Sequence, residues 1–397
     1  MITRELQPHL KEVASRHPVV TLTGPRQSGK TTLCRSAFSD KPYVSLEPPD
    51  QREFALADPR GFLKRFPGGA VVDEIQRASS LLSYIQEIVD QSPLPGRFVL
   101  TGSQNLGLLA GVTQTLAGRT ALLNLLPLSL AEVRRFPQPP QDLENVLWTG
   151  GYPRIFDRGL PPSEWLASYV ATYVERDVRQ VLQIGDLLTF QTFLRMCAGR
   201  AGQLLNLSGL GADCGITHTT ARSWISVLEA TYIAFRLPPL HVNIGKRLIK
   251  TPKLYFYDSG LLCYLLGIRT PDQLEVHPLR GSIFESWVAS EILKAYLNRG
   301  QTPQMFFFRD RAGTEVDFVL DRGTDWLGVE VKAGRTVASD YFSGLDQLRQ
   351  SFSSKTKQQA RPFRAVVVYG GSDRQTRQAA ELLPWSELDS LRLTQIL

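Results

Sequence analysis

Short runs of apolar, mostly β-branched residues recur along the first third of the chain. Residues 19–23, 69–73 and 97–102 are such runs, and stretches with helical spacing separate them. Buried strands that alternate with helices build a parallel sheet with helices on its faces. The pattern from residue 17 to about residue 130 therefore predicts an α/β domain.

A proline-rich break follows this pattern. Residues 136–142 contain Pro137, Pro139 and Pro140, and neither a helix interior nor a paired strand accommodates prolines at this density. Beyond Trp165, apolar residues recur at helical spacing. We therefore divide the chain into an α/β core at 1–135, a helical lid or linker at 136–187, a small helical unit at 188–245 and a C-terminal α/β domain at 246–397.

The pattern in residues 188–245 is typical of a winged helix-turn-helix. Asn206 or Ser208 would cap a first helix, and Thr217 or Thr219 would cap a second. A strand-like run at 232–237 would follow as the wing. The second helix would begin with residues suited to contacting DNA, namely Thr217, His218, Thr219, Thr220 and Arg222. DNA contact and packing of the unit against the α/β core are both consistent with this pattern.

The sequence GPRQSGKT at residues 24–31 matches the phosphate-loop motif G-x-x-x-x-G-K-[ST] without a mismatch. An apolar run precedes it and a helical stretch follows, as the motif requires. Lys30 would bind the β- and γ-phosphates of a nucleoside triphosphate, and the Thr31 hydroxyl would ligate Mg²⁺. The predicted ATP-binding residues are Gly24, Pro25, Arg26, Gln27, Ser28, Gly29, Lys30, Thr31 and Thr32.

Polar residues end the next two apolar runs. Asp73 is suited to the outer sphere of Mg²⁺, and Glu74 is suited to polarising the attacking water. Ser103, which ends the third run, could reach the γ-phosphate or the water, because open α/β sheets bind ligands at strand tips. A hydrogen-bonded turn at 103–105 explains the same residues equally well.

A second group of candidate chemical residues lies in the C-terminal third. Glu315 and Asp317 alternate along one predicted strand, and Glu330 and Lys332 alternate along the next. This is the layout of PD-(D/E)xK nucleases, and Glu285 on a preceding amphipathic helix adds an acidic residue. Glu285, Asp317 and Glu330 would hold a metal ion, with Lys332 as the catalytic lysine. Such domains also persist as binding or scaffold modules without cleavage.

Composition limits the class of protein. The 397 residues include 43% hydrophobic and 21% charged residues, which are values typical of globular domains. The four cysteines form no C-x-x-C pair, so a disulfide framework and a cysteine zinc site are not expected. Neither a signal-peptide core nor a membrane-spanning apolar run is present, which predicts a cytoplasmic protein without a membrane partner. The net charge of +7 modestly favours nucleic acid as a partner.

The order of these motifs resembles a bacterial and archaeal group of AAA-type ATPases that carry a C-terminal domain similar to restriction endonucleases. The resemblance rests on the phosphate loop, VVDEIQ, LTGSQN, LAGRT, LPLSLAE, GGYP and YVERDV. It implies that Asp73 and Glu74 are the Walker B pair and that Ser103 lies near the sensor position. It also implies that Pro153 contacts the nucleotide base. Arg119 and Arg176 become candidates for a cation near the γ-phosphate, although structural ion pairs are an alternative for both.

Two functions are consistent with these predictions. The first is an Mg²⁺-dependent ATPase that acts on nucleic acid, in which the nucleotide state controls the winged helix and the nuclease-like domain. The second is a signalling or switch-type ATPase whose C-terminal domain is a catalytically silent module for docking a partner. ATP and Mg²⁺ are the expected cofactors in both, and DNA, another protein or a second copy of the chain is the expected partner.

Overall fold

The structure is a computed structural model that describes residues 2–103, 112, 115–174, 187–240, 250–310, 312–353, 361–377 and 380–388. Its first five strands form one parallel sheet in the spatial order β2-β3-β4-β1-β5. These strands are β1 (Val19–Gly24), β2 (Tyr43–Ser45), β3 (Ala70–Asp73), β4 (Phe98–Ser103) and β5 (Thr120–Asn124). The parallel-sheet α/β domain predicted from the apolar runs is therefore confirmed.

Helices cover both faces of this sheet. They are α1 (Gln7–Ala14), α2 (Lys30–Ala37), α3 (Pro49–Ala57), α4 (Pro59–Lys64) and α5 (Leu81–Gln91), with a 3₁₀ turn at Ile75–Ala78. Val20 and Leu22 of β1 pack against α1 and α2, whereas Val19 packs in the core formed with α4 and α5. Because both faces are covered, every residue of β1 is buried, as is usual for strands of parallel sheets.

Four short helices and one π-helical turn follow the α/β core. They are α6 (Leu130–Val133), α7 (Leu143–Thr149), α8 (Pro153–Arg158), α9 (Pro162–Tyr169) and the π turn Val170–Val174. Ser129 and Glu132 form a reciprocal capping box at the start of α6. The rings of Tyr152, Trp165 and Tyr169 pack together and fix the start of α8 against α9.

The next unit contains α10 (Leu187–Ala198), α11 (Leu207–Asp213), α12 (His218–Ala230) and β6 (Ala234–Leu237). Of the alternatives the sequence left open, Asn206 caps α11 and Thr217 caps α12, because each side chain accepts a backbone N–H three residues ahead. β6 pairs antiparallel with β7 (Lys253–Phe256). This small sheet therefore crosses the boundary that we drew at residue 245.

The C-terminal part is built on a six-stranded mixed sheet in the order β12-β13-β11-β10-β9-β8. Helix α15 packs on one face in a core shared with the helical units, and α16 packs on the other. The elements are α13 (Ser259–Leu265), α14 (Pro271–Glu275), α15 (Arg280–Leu297), β8 (Gln304–Arg309), β9 (Glu315–Asp321), β10 (Trp326–Lys332), α16 (Ser343–Ser353), β11 (Phe363–Tyr369), β12 (Gln375–Arg377) and β13 (Ala380–Pro384), with 3₁₀ turns at Ser339–Phe342 and Trp385–Glu387. None of the helices in the described ranges has the length and apolar character needed to cross a membrane.

Candidate functional site

The phosphate-loop residues lie in the strand–turn–helix context that the motif predicts. β1 ends at Gly24, and α2 begins at Lys30 after Gly29, which has a φ of 93°. Gly24 has a φ of 148°, and a Cβ at this position would overlap the carbonyl oxygen of Leu125. A side chain at either glycine would therefore strain the turn. Gln27 also has a positive φ, of 62°, in a conformation that costs a non-glycine residue free energy.

Lys30 lies beneath this turn. Its Nζ donates hydrogen bonds to the carbonyl oxygens of Gly24, at 3.0 Å, and Pro25, at 2.8 Å. Burial lowers the pKa of Lys30 to about 8, although the charges of Glu74 and Asp73 act in the opposite direction. The ammonium is therefore held within the loop and is poorly solvated, so anionic oxygens would be favourable partners for it.

Asp73, at the carboxyl end of β3, accepts hydrogen bonds from three hydroxyl groups. Thr31 donates to its Oδ2 at 2.9 Å, and Tyr43 donates to the same atom at 2.7 Å. Thr101 on the neighbouring strand β4 donates to Oδ1. Burial raises the pKa of Tyr43, and the hydrogen bond to Asp73 raises it further. The structure thus joins the predicted Thr31–Asp73 pair and adds Tyr43 and Thr101, which the sequence pattern did not single out.

The side chain of Gln76 links Glu74 and Ser103 through hydrogen bonds. Glu74 occupies the left-handed region, with a φ of 58°, immediately after β3. The Gln76 amide donates to Glu74 Oε2 and, at 3.0 Å, to Ser103 Oγ. Ser103 Oγ also lies 3.4 Å from Glu74 Oε2. The predicted water-activating carboxylate and the predicted sensor residue are therefore neighbours, and Gln76 orients both.

A cavity of about 440 Å³ lies over the loop and these carboxylates. Its lining includes the predicted Arg26, Gln27, Gly29, Lys30, Thr31, Thr32, Asp73, Glu74 and Pro153. Gly24, Pro25, Ser28 and Ser103 are not in its lining, although Ser28 Oγ is buried without a hydrogen-bond partner among the described residues. α8 places Arg154 and Arg158 on the wall beside Pro153. The cavity has the size of a small-molecule site and combines cations with carboxylates.

Arg4, near the N-terminus, lines the same cavity and holds the loop through hydrogen bonds. Arg4 is 7% exposed, and its Nη1 donates to the carbonyl oxygen of Ser28 at 2.6 Å. Its Nε pairs with Glu132 at 2.8 Å, and its Nη2 donates to Leu126 O at 2.8 Å. Burial acts to raise the pKa of Glu132, but the charge of Arg4 outweighs it and the pKa is lowered. Arg4 joins residues far apart in the chain, so no local motif indicated it.

Of the two arginines considered as cations near the γ-phosphate, the structure describes Arg119. Arg119 immediately precedes β5, at the amino-terminal edge of the parallel sheet, whereas the phosphate loop follows the carboxyl end of β1. Arg119 Nε pairs with Asp90 Oδ1 at 2.5 Å. Arg119 therefore forms a structural ion pair outside the cavity, which is the alternative to a catalytic cation that the sequence left open. Arg176 lies outside the described residues.

The oxygen atoms beside the loop are suitable ligands for Mg²⁺. Thr31 presents a hydroxyl, and Asp73, which is 5% exposed, presents a carboxylate at the cavity wall. Hard oxygen ligands of this kind, together with phosphate oxygens, form the usual Mg²⁺ environment in phosphoryl-transfer sites. The residues present therefore fit the ion that the motif implies.

The C-terminal carboxylates converge on a lysine. Lys253 Nζ, from β7, lies 2.5 Å from Glu315 Oε1, 3.1 Å from Glu285 Oε1 and 3.8 Å from Asp317 Oδ1. Burial lowers the pKa of Lys253, but the charges of the three carboxylates outweigh it and the pKa is raised. We call Lys253, Glu285, Glu315 and Asp317 the lysine–carboxylate cluster. Lys253 was not predicted, although a lysine within an apolar strand was a visible signal.

The remaining predicted pair lies beside this cluster. Lys332 Nζ donates to Glu330 Oε1 at 2.7 Å, and Glu330 Oε2 is buried without a hydrogen-bond partner among the described residues. Burial, together with the charge of Asp317, raises the pKa of Glu330 to about 8 and that of Glu285 to about 7. Two buried carboxyls near Asp317 are thus poised to titrate close to neutral pH.

The metal site predicted from Glu285, Asp317 and Glu330 does not fit the observed geometry. In the described part of the chain, no group of three or more His, Cys, Asp or Glu side chains is arranged to hold a metal ion. Lys253 already supplies a positive charge where the carboxylates converge. Glu285 and Asp317 are brought together as the sequence predicted, but around the ammonium group of Lys253, and Glu330 pairs with Lys332 instead.

Three family matches cover most of the chain. Residues 16–134 match the AAA domain family. Residues 140–272 match a domain of unknown function, DUF8612, and residues 280–388 match another, DUF4143. The matches beyond residue 134 carry no assigned activity.

Two mycobacterial relatives align with the chain over 344 residues at 31% identity. They are the uncharacterized protein Rv2008c of Mycobacterium tuberculosis and the uncharacterized protein Mb2031c of Mycobacterium bovis. Each alignment covers 84% of this chain and 74% of the relative.

Among solved structures, the Walker-type ATPase paby2304 of Pyrococcus abyssi is similar with a TM-score of 0.45 and 16% identity, over 66% of this chain and 95% of that one. AMPPCP-bound DnaA from Aquifex aeolicus is similar with a TM-score of 0.28 and 14% identity, over 56% and 85% of the two chains. TM-scores this low carry no inference about the site.

Proposed function

This chain belongs to the same protein family as Rv2008c of Mycobacterium tuberculosis and contains an AAA-type P-loop ATPase domain, and we propose that it binds ATP with Mg²⁺ and hydrolyses it. The observation that carries this proposal is the convergence of Lys30, Thr31 and Asp73 at one cavity. Lys30 would bind the β- and γ-phosphates, and Thr31 and Asp73 would hold Mg²⁺, which neutralises phosphate charge when bound.

Glu74 is the residue that we propose to orient and polarise the attacking water. It lines the cavity, and the Gln76 amide fixes its carboxylate next to Ser103. Ser103 would act through Glu74 or contact the γ-phosphate directly. A positioned base contributes about 10²- to 10⁴-fold to a reaction rate, and we assign that contribution to Glu74.

A cation near the γ-phosphate would complete the site. Arg154 is the candidate that we favour, because α8 places it on the cavity wall directly after Pro153. Pro153 itself lies 3.9 Å from the position that a Cβ on Gly29 would take, which supports its proposed contact with the bound nucleotide. Arg154→Ala should lower the rate of hydrolysis more than the affinity for ATP, because charge on the γ-phosphate oxygens is largest in the transition state.

Replacement of Lys30 tests the binding site. Lys30→Ala should retain its fold but bind Mg²⁺–ATP about 10- to 100-fold more weakly, since a hydrogen bond to a charged group contributes about 1.5–3 kcal/mol. Lys64→Ala is the matched control, because Lys64 is exposed at the end of α4 in the same domain. Unchanged affinity in a folded Lys30→Ala protein, measured by calorimetry, would contradict the proposed site.

For the rest of the chain we propose control of nucleic-acid binding by the nucleotide state. The first observation that supports this proposal is that three residues at the start of α12, His218, Thr219 and Arg222, are all exposed. A direct contact also joins this unit to the loop-bearing strand, because Tyr232 OH lies 3.1 Å from Thr23 Oγ1, one residue before Gly24. A change in the conformation of the phosphate loop on ATP binding would therefore be transmitted to Tyr232, which lies just after α12.

Fluorescence anisotropy with a labelled DNA duplex tests this second part. Binding should depend on the presence of ATP, weaken with salt, and decrease in Arg222→Ala but not in Arg16→Ala, whose arginine is exposed just after α1. Absence of binding to duplex and single-stranded DNA, with and without ATP, would contradict it.

The alternative function is a switch-type ATPase with a silent C-terminal docking module. The observation that favours it is Lys253 among the carboxylates of the nuclease-like motif. Incubation of supercoiled, linear and single-stranded DNA with Mg²⁺ or Mn²⁺, with and without ATP, separates the two functions. Cleavage that is lost in Asp317→Ala would contradict the docking-module alternative.

A further inference from the structure

We propose that Lys253 is a built-in cation that takes the place of a divalent metal ion, so that the lysine–carboxylate cluster binds no metal until this one side chain is removed. Glu285 reaches the cluster from α15, and Glu315 and Asp317 reach it from one face of β9. Their oxygens surround one ammonium group. This inference does not depend on the proposed ATPase activity.

The side chain of Lys253 is shielded from solvent. Its side chain is 3% exposed, and its Nζ lies 5.6 Å from the centre of the Phe307 ring. Its backbone is held on both sides, by pairing with Leu237 in β6 and by a bridge to Leu204. An incoming metal ion would therefore have to share the cluster with the ammonium, and two cations a few ångströms apart repel each other strongly at a buried site.

Several carboxylate oxygens are also already occupied. Glu285 Oε1 accepts hydrogen bonds from Lys253 and, at 2.5 Å, from Tyr255. Asp317 Oδ2 accepts the backbone N–H of Val331 at 2.8 Å. Divalent magnesium requires close to six oxygen ligands in octahedral geometry. The wild-type cluster instead satisfies its carboxylates with an ammonium, a phenol and a peptide N–H.

The charge balance indicates what removal of Lys253 would do. Counting the neighbouring Glu330–Lys332 and Glu315–Arg309 pairs, four carboxyl groups face three cations. Without Lys253, the four carboxyl groups would face two cations, and three of them would surround a vacant volume of about one ammonium group. Like charges this close favour uptake of a cation from solution.

Lys253→Met tests the inference, since methionine retains an unbranched, apolar side chain without the charge. Both proteins carry Asp73→Asn, which removes the carboxylate ligand of the ATPase site, and are titrated with Mn²⁺ in the absence of nucleotide. The Lys253→Met protein should bind one Mn²⁺ at least tenfold more tightly than the parent. Its melting temperature should be lowered without Mn²⁺ and be restored by it, and Asp317→Asn should abolish both effects.

Two further variants keep the test decisive. Lys332→Met, which removes the neighbouring half-buried lysine, should gain no Mn²⁺ binding, and neither should Lys253→Arg, which keeps the charge. If Lys253→Met is insoluble, its recovery in a folded form only when Mn²⁺ is present during expression supports the proposal. Mn²⁺ binding by the parent protein that Asp317→Asn removes would overturn it, and so would a Lys253→Met protein that gains no Mn²⁺ binding in either form of the test.

Discussion

Nucleotide binding should be coupled to proton uptake by Lys30. The ammonium is buried beneath the phosphate loop, and burial lowers its pKa to about 8 in the absence of nucleotide. About one tenth of the molecules would therefore carry a neutral Lys30 at pH 7, about half at pH 8 and about nine tenths at pH 9. The phosphate groups of a bound nucleotide would stabilise the charged form and raise this pKa again.

The magnitude follows from these fractions. If the pKa of Lys30 returns to its ordinary range when the phosphates bind, the affinity for nucleotide should fall about tenfold, or about 1.4 kcal/mol, between pH 7 and pH 9. About half a proton should be taken up per nucleotide at pH 8. The phosphates are not the source of this effect, because their last ionisation is near pH 6 and is complete in this range.

Calorimetry in buffers of different ionisation enthalpy measures this uptake directly. A non-hydrolysable ATP analogue with Mg²⁺ should take up protons at pH 8 in the wild type and in the Lys64→Met control. Residual binding by Lys30→Met should proceed without the uptake. Equal proton uptake in Lys30→Met, or an affinity independent of pH between 7 and 9, would refute the argument from the burial of Lys30.

The lowered pKa of Lys30 should also affect the stability of the protein without nucleotide. Because the pKa of Lys30 is lower in the folded state than in the unfolded chain, the unfolded chain binds more protons above pH 8. The contribution of Lys30 to stability should therefore rise with pH from about 8 until the unfolded lysine also loses its proton. The difference in unfolding free energy between wild type and Lys30→Met, measured with urea, reports this slope.

Three other substitutions have defined outcomes. Glu74→Gln should bind ATP but hydrolyse it about 10²- to 10⁴-fold more slowly, and a wild-type rate in a phosphate-release assay would make Glu74 structural. Arg4→Met should lower the unfolding free energy by about 3–5 kcal/mol, because it leaves the Glu132 carboxylate buried without its partner. Arg4→Met with Glu132→Leu should recover most of that loss in urea titrations. Glu330→Gln should stabilise the protein at pH 9 but not below pH 4.5, because the pKa of Glu330 is raised from 4.5 to about 8 and stability is lost as pH rises through this window. Equal effects of Glu330→Gln at both pH values would show that burial does not control its ionisation.

The sequence alone determined the elements whose physics is local. The strand, glycine turn and helix of the phosphate loop follow from neighbouring residues, because the positive φ at Gly24 and Gly29 needs glycine and the apolar run before them needs burial. Alternation along β9 placed Glu315 and Asp317 on one face, and a short capping pattern limited the start of α12 to Thr217 or Thr219, of which the structure shows Thr217. Spacing of two to four residues was enough for each.

Strand polarity would also have distinguished the two roles considered for Arg119. Arg119 precedes β5, whereas the phosphate loop follows β1, so in a parallel sheet the two lie at opposite edges. The resemblance left Arg119 open between a cation near the γ-phosphate and a structural ion pair, and the strand directions favour the ion pair within one chain. The polarity of neighbouring strands is a property of the whole sheet, which a motif read in isolation does not contain.

Only the tertiary structure decided which distant residues complete each site. Arg4 contacts the loop 24 positions away and Glu132 128 positions away, and Arg154 lines the cavity although it lies far from the phosphate loop in the chain. Lys253 meets Glu285 and Asp317 because β7, α15 and β9 pack together. A buried charge must find its partner wherever the fold brings one within a few ångströms, and that distance is set by packing of the whole chain and not by spacing along it.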